Sequence, residues 1–246
     1  MDQLVASPCS NPEMPLEDVL AAYSEIGFRK FEVFTSWVGS AFDIDADPQG
    51  YLGVGGRRGM SFTSLHLPPV TDDLETSIAR AVRAAEFARA LGVGVVLYKA
   101  DSRDNYVKAA GAVLDAAERL HLTAVIQNHA GTAISTGEDV RAVLRGVGDE
   151  RLKALLEVGH FHSVGISWRE GCELMAGRIA LVHIKDQIGP QSVPFGTGEI
   201  DLPGLFEHMR STGYQGDYVV EMEVTDRENT LRYLTDAVEY IRANCL

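Results

Sequence analysis

Four polar residues close four successive apolar runs in the second half of the chain. They are Gln127 after Ala124-Val125-Ile126, Glu157 after Ala154-Leu155-Leu156, His183 after Leu181-Val182, and Glu221 after Val219-Val220. If each run is a strand, alternate side chains face opposite ways. Val125, Gln127 and His129 then share a face, as do Leu155 and Glu157, then Leu181, His183 and Lys185, then Val219, Glu221 and Glu223. Two carboxylates, one imidazole and one amide oxygen make a mixed N/O donor set. Such a set suits one divalent ion, for instance Mn²⁺, Mg²⁺, Co²⁺ or Zn²⁺. A single Glu or His at a strand end is ordinarily a hydrogen-bonded structural residue. Four in register are another matter, because buried carboxylates without partners are costly.

The elements that must position these residues are short apolar runs alternating with longer amphipathic stretches. Eight runs read as strands: Gln3 to Ala6, Lys30 to Phe34, Phe62 to His66, Gly94 to Tyr98, Ala124 to Asn128, Lys153 to Glu157, Ala180 to Lys185 and Tyr218 to Glu223. The clearest helical patterns are Leu16 to Ile26, Asp73 to Leu91, Asp104 to Leu120, Gly137 to Arg145, Leu202 to Ser211 and Thr230 to Ala243. Alternation of this kind implies parallel βαβ units. With eight units and no Gly-rich nucleotide loop after the first strand, the expectation is an α/β fold, a single (β/α)₈ TIM barrel over residues 1–246. Its active site would lie at the C-terminal ends of the strands, where His66, Tyr98-Lys99 and His160 join the residues above. Thr71 or Asp72 is expected to cap the third helix, and Asp201 the helix that Gly213 closes. Asp45 to Met60, with five glycines and no clear helical period, reads as an irregular second crossover. Gly196-x-Gly198 lacks a following Lys-Ser/Thr pair, so it reads as a tight turn and not as a phosphate loop; Gly53 to Gly59 is no P-loop either.

Composition narrows the partners. The chain has 246 residues, 46% of them hydrophobic, with 35 acidic against 22 basic side chains and a formal net charge of −13. Such a surface is repelled by phosphate backbones and anionic lipid, so neither nucleic acid nor membrane is expected as a partner. Cys9, Cys172 and Cys245 show no disulfide framework and no metal spacing; Cys9 follows the first strand and is a weak candidate for the pocket wall. The N-terminus has no basic stretch leading into an apolar one, and no apolar run approaches a membrane span, so a cytoplasmic protein is expected.

Several segments, in this order and spacing, resemble the xylose-isomerase-like barrel superfamily and its sugar-phosphate isomerase/epimerase branch. They are Ser64-Leu65-His66, Ile126-Gln127-Asn128-His129, Leu156-Glu157-Val158-Gly159-His160, Val182-His183-Ile184-Lys185-Asp186, Phe195-Gly196-Thr197-Gly198-Glu199-Ile200-Asp201, and Gly213 through Glu221. The resemblance implies metal ligands at Gln127, Glu157, His183 and Glu221. His183 and Glu221 match the family pattern, whereas Gln127 stands where a glutamate is usual and Glu157 where an aspartate is usual. It further implies a metal-dependent isomerase or epimerase of carbohydrate metabolism, acting on a sugar, keto-sugar or polyol through an enediolate. Glu221 would be ligand and base, Lys185 and His160 would bind substrate and deliver protons, His66 and His129 would hold hydroxyls, and Trp37 would form an apolar wall. Dehydration or lyase chemistry on a keto-polyol or dehydroshikimate-like acid begins with the same enolate and stays open, as does a non-catalytic sugar-binding barrel. The DNA-repair branch is disfavoured, because Asp186-Gln187-Ile188 replaces its Asp-x-His. A homo-oligomer is left open.

Overall fold

The computed structural model describes residues 2–246. Eight parallel strands close into a barrel in the order β1-β10-β7-β6-β5-β4-β3-β2. These are β1 (Leu4–Ala6), β2 (Lys30–Val33), β3 (Ser61–His66), β4 (Val95–Leu97), β5 (Thr123–Gln127), β6 (Lys153–Glu157), β7 (Ile179–Ile184) and β10 (Tyr218–Val220). A separate antiparallel hairpin, β8 (Asp186–Ile188) with β9 (Gln191–Val193), follows β7. The surrounding helices are α1 (Leu16–Ile26), α2 (Pro48–Arg57), α3 (Leu74–Ala90), α4 (Arg103–Arg119), α5 (Gly137–Val147), α6 (Val158–Ser163), α7 (Trp168–Leu174), α8 (Leu202–Ser211) and α9 (Thr230–Asn244). Among the described residues no helix is long and apolar enough to cross a membrane.

Two apolar layers hold this arrangement. A large shell packs the outer strand faces against the helices. Inside the barrel, Val5, Leu97, Val125, Leu155, Leu181 and Val219 form a separate cluster. Burying one such side chain is worth about 1.5–3 kcal/mol, so the outer shell, with many more residues, supplies most of the stability. The inner cluster confirms the parity expected for β5, β6, β7 and β10, and it forms the floor on which the polar residues stand.

Three departures from the sequence expectation have physical causes. The second crossover contains a ten-residue helix, α2, started by Pro48 and by the Asp47 side chain accepting from Gln49 N–H. Gly55 lets it close against β3, since a Cβ there would meet Met60 O at 2.9 Å and the Phe62 ring at 3.0 Å. The cap of α3 is Asp73, accepting from Thr76 N–H, and neither Thr71 nor Asp72; Asp72 instead accepts from Asn105. The run after β7 turns back as the β8–β9 hairpin, organised by Asp186. One Asp186 oxygen accepts from Gly196 N–H at 2.9 Å and Gly198 N–H at 2.8 Å, and the other from Gln187 N–H at 3.0 Å and Ile200 N–H at 3.2 Å. Gly196 sits at φ +81° and Gly198 lies against the Asp186 carboxylate, so both glycines have turn and close-approach roles. Asp201 caps α8 as expected, accepting from Gly204 N–H at 2.9 Å.

Candidate active site

The strand ends of β6, β7 and β10 bring three ionisable groups together. One ligand atom each from Glu157, His183 and Glu221 lies within 4.8 Å of the others, and all three residues are buried. His183 Nδ1 stands 3.3 Å from Glu157 Oε2 and 3.0 Å from Glu221 Oε1. The positions are locally enforced. Asn128, at the end of β5, donates to Glu157 O at 2.9 Å and accepts from Glu157 N–H at 3.0 Å, clamping the end of β6. Glu157 Oε1 accepts from Gly159 N–H at 2.9 Å, so the same residue caps α6. Glu221 N–H donates to Ile184 O at 3.0 Å, extending the β7–β10 pairing by one step.

Behind this group the side chains pair off. Lys185 Nζ lies 2.7 Å from Glu221 Oε2 and 2.6 Å from Glu223 Oε2, and is almost wholly buried. Gly159 makes room for it, since a Cβ there would meet the Lys185 chain at 2.5 Å. His183 Nε2 donates to Glu32 Oε1 at 3.1 Å, and His66 Nε2 lies 3.2 Å from the same oxygen. Burial alone would raise Glu221, but Lys185 and His183 outweigh it and hold the carboxyl well below its usual range. Burial drives Glu157 upward, to about 7, and the neighbouring Glu221 charge adds to the effect. For His183, burial would lower the pKa, but Glu32 and Glu221 outweigh it and raise the imidazole well above its ordinary value.

Above these residues opens a cavity of about 440 Å³, whose wall includes Gln127, His66, His129, His160, Glu221 and Trp37. Trp37 is 63% exposed, adopts φ +57° and lies with its ring 5.4 Å from Phe34. His129 and His160 stack at 3.8 Å between centroids. Burial, with Lys185 beside it, lowers His160 to about 3, so it is a neutral hydrogen-bonding group at neutral pH. The structure thus gathers all the sequence-predicted site residues, but on two levels. Gln127, Glu221, His66, His129, His160 and Trp37 line the cavity, while Glu157, His183 and Lys185 lie beneath its wall.

Among the described residues three donor groups could hold a cation, and the surroundings discriminate among them. In Cys9, Glu221 and Glu223, the Lys185 ammonium already sits against both carboxylates. In Glu32, His66 and His183, the carboxylate also accepts from Ser7 Oγ at 3.1 Å and Ser64 Oγ at 3.0 Å. In Glu157, His183 and Glu221, both His183 Nδ1 and Glu157 Oε2 are buried with no hydrogen-bond partner, whereas the Glu32 group has His66 Nε2 in that state beside a carboxylate already supplied with donors. Buried polar atoms are nearly always paired, so this orphaned couple fits a metal ion that needs an imidazole nitrogen and carboxylate oxygens.

Sequence reasoning missed Glu32 and Ser7, and placed Lys99 at the mouth without giving it a partner. The signal for Glu32 was a lone carboxylate between Phe31 and Val33 in an apolar strand. Lys99 lines the cavity and donates to His66 Nδ1 at 3.2 Å. Cys9, weakly expected at the wall, is there.

The sequence pattern of the xylose isomerase-like TIM barrel matches residues 20–244. The chain belongs to that family. Among relatives of the xylose isomerase-like chain, the inosose dehydratase of Geobacillus thermodenitrificans is 28% identical over 152 residues, which is 53% of this chain and 51% of that protein. The L-ribulose-5-phosphate 3-epimerase UlaE of Salmonella heidelberg is 36% identical over 75 residues, 29% of this chain and 26% of that protein. The matches therefore span about half or less of these curated relatives. Two solved structures share the xylose isomerase-like fold over nearly full length. An AP endonuclease, family 2, from Brucella melitensis superposes with TM-score 0.81 at 15% identity, covering 100% of both chains. The IolI protein with a bound zinc atom superposes with TM-score 0.79 at 15% identity, covering 99% of both.

Proposed function

We propose that this chain is a divalent-metal-dependent isomerase or epimerase acting on a sugar, keto-sugar or related polyol through an enediolate. The observation that carries the reading is the orphaned pair, His183 Nδ1 and Glu157 Oε2, beside Glu221 at the floor of a cavity large enough for a sugar. Glu157, His183 and Glu221 would hold the ion, with Gln127 as a neutral fourth donor. A bound divalent ion would supply polarisation of adjacent substrate oxygens. Glu221, kept ionised by Lys185 and His183, takes the proton from the carbon next to the carbonyl. Lys185 bridges Glu221 to Glu223, whose side chain is 43% exposed, and so gives that proton a hydrogen-bonded way outward. His129 and neutral His160 orient hydroxyl groups, His66 fixes Lys99 at the cavity wall, and Trp37 covers an apolar sugar face. The relatives named as a 3-epimerase and as an inosose dehydratase support proton removal beside a carbonyl as the shared step.

A second reading is favoured by Gln127. Epimerisation at one carbon is served by two bases on opposite faces, and a neutral amide cannot accept a proton at working pH. A single base face suits aldose–ketose isomerisation, or elimination in the manner of a dehydratase. The test is turnover of a panel of ketoses and inososes in D₂O with Mn²⁺. The expected result is label entering from one face only, with the exchange lost in Glu221→Gln. Exchange that survives in Glu221→Gln sinks the assignment of the base. A panel that is bound but never exchanged points instead to a sugar-binding barrel. Cleavage or nanomolar binding of abasic DNA at physiological salt would favour the nuclease branch, against the −13 charge.

A further inference from the structure

The back of the candidate cation site is more heavily hydrogen-bonded than its front, although His66 Nε2, buried there, approaches Glu32 without a hydrogen bond. Glu32 lies on β2, wholly buried, and several side chains converge on its carboxylate. Ser7 donates to Oε2 and Ser64 to Oε1, while His183 Nε2 and His66 Nε2 both lie against Oε1, at 3.1 and 3.2 Å. An ionised carboxylate only accepts hydrogen bonds. Any imidazole nitrogen facing it must therefore carry a hydrogen. For His183 this fixes the rear nitrogen: Nε2–H points back to Glu32, while Nδ1 points forward between Glu157 and Glu221, and any hydrogen it carries there is the one a cation would displace. His66 follows the same logic on the other side of Glu32. Its Nε2 faces the carboxylate, and its Nδ1 accepts from Lys99 Nζ at the cavity wall.

We infer that Glu32 is the positioning residue of the site, holding His183 and His66 with Nε2 protonated so that each presents Nδ1 to the working side. A histidine that binds a metal through one nitrogen commonly has its other N–H fixed by a carboxylate, which sets ring orientation and raises basicity. Here one carboxylate serves two rings. His183 is aimed at the cation position, and His66 gives Lys99 a fixed acceptor, so the two walls of the cavity are aligned through a single oxygen. A carboxylate with no such task would be a costly occupant of a barrel interior. Glu32 touches neither substrate nor the cation, and acts only through the two imidazoles.

The purpose of this device rests on the metal-dependent reading, but its hydrogen-bond pattern does not, and the experiment separates the two. In ¹⁵N-labelled protein, long-range ¹H–¹⁵N spectra report which ring nitrogen carries hydrogen. His66 is expected as the Nε2–H tautomer without metal, and His183 is expected to keep Nε2–H with and without Zn²⁺. A bare Nε2 with Nδ1–H on either ring overturns the inference. In parallel, Zn²⁺ affinity is measured by chelator competition for the parent, Glu32→Gln and Glu32→Asp, with circular dichroism to verify folding. Folded Glu32→Gln should bind Zn²⁺ about 10- to 100-fold more weakly, and Glu32→Asp, which keeps the charge, should recover part of the loss. Unchanged affinity in a folded Glu32→Gln overturns the inference. If Glu32→Gln does not fold, the spectra of the parent decide alone. If the parent binds no Zn²⁺, Mn²⁺ or Co²⁺, the metal-dependent reading fails, while the metal-free ring states still decide whether Glu32 orders the two histidines.

Discussion

Two layers inside the barrel differ by one step along the strands and share almost nothing else. The lower layer is Val5, Leu97, Val125, Leu155, Leu181 and Val219, entirely apolar. Two residues further along the same strands come Ser7, Lys99, Gln127, Glu157, His183 and Glu221, entirely polar. Because side chains repeat every two residues, both layers face inward, and the apolar one sets the height and direction of the polar one. On the proposed function, the contrast teaches that binding and stability fall to different rungs of the same strands. Replacements in one rung should then leave the property of the other largely intact.

The widest separation is expected for His183→Ala. It removes the nitrogen between Glu157 and Glu221, so metal retention should vanish while the barrel stays folded, as measured by metal content after dialysis and by circular dichroism. Equal metal content in variant and parent would falsify the assignment of the upper layer. Next in size is the pH dependence of metal affinity in the parent. His183 is raised above its ordinary value and Glu157 lies near 7, and a cation must displace the protons on both. Affinity therefore climbs with pH through this range, by up to about tenfold per unit for each proton released. A flat profile between pH 6 and 8 would mean that neither group is a ligand.

In the lower layer, Leu155→Ala should cost about 2–5 kcal/mol in urea denaturation, from lost burial and the cavity left behind. The folded fraction should still take up metal. If the variant is fully stable but metal-free, the division between the rungs is wrong. The smallest effect is expected from Gln127→Glu, which restores a charge on β5. Metal affinity should rise about tenfold, and the metal-free protein should melt at a lower temperature because a third carboxylate joins Glu157 and Glu221. If neither quantity moves, Gln127 stands away from the cation.

The same contrast shows how much could be read beforehand. Apolar runs and their alternation located all eight barrel strands and the inward faces of β5, β6, β7 and β10, hence Gln127, Glu157, His183 and Glu221. Glu32 escaped because β2 pairs with β3 through a register shift between Phe31 and Glu32, and its neighbours alone do not reveal its partners on β3 and β7. Helix α2 escaped because glycines occupy four of its ten positions, and its stability comes from a cap and tertiary contact instead of periodicity. Helix α7 had a legible start in Ser167 and Glu170, which form a capping box, but its seven residues are too few to show an amphipathic period. Lys185 was placed on the right face, yet only the packing of Gly159 shows that it runs beneath the cavity wall and not into it.

Asp186 has a consequence for the neighbouring strand. Its hydrogen bonds to Gly196, Gly198 and Ile200 tie residues 10, 12 and 14 positions away back to the end of β7. In chain-statistical terms the excursion begins and ends at one place, so fluctuations of the hairpin tip are contained within a closed loop. His183, three residues upstream of that knot, is thereby insulated from the motion of the segment that follows it.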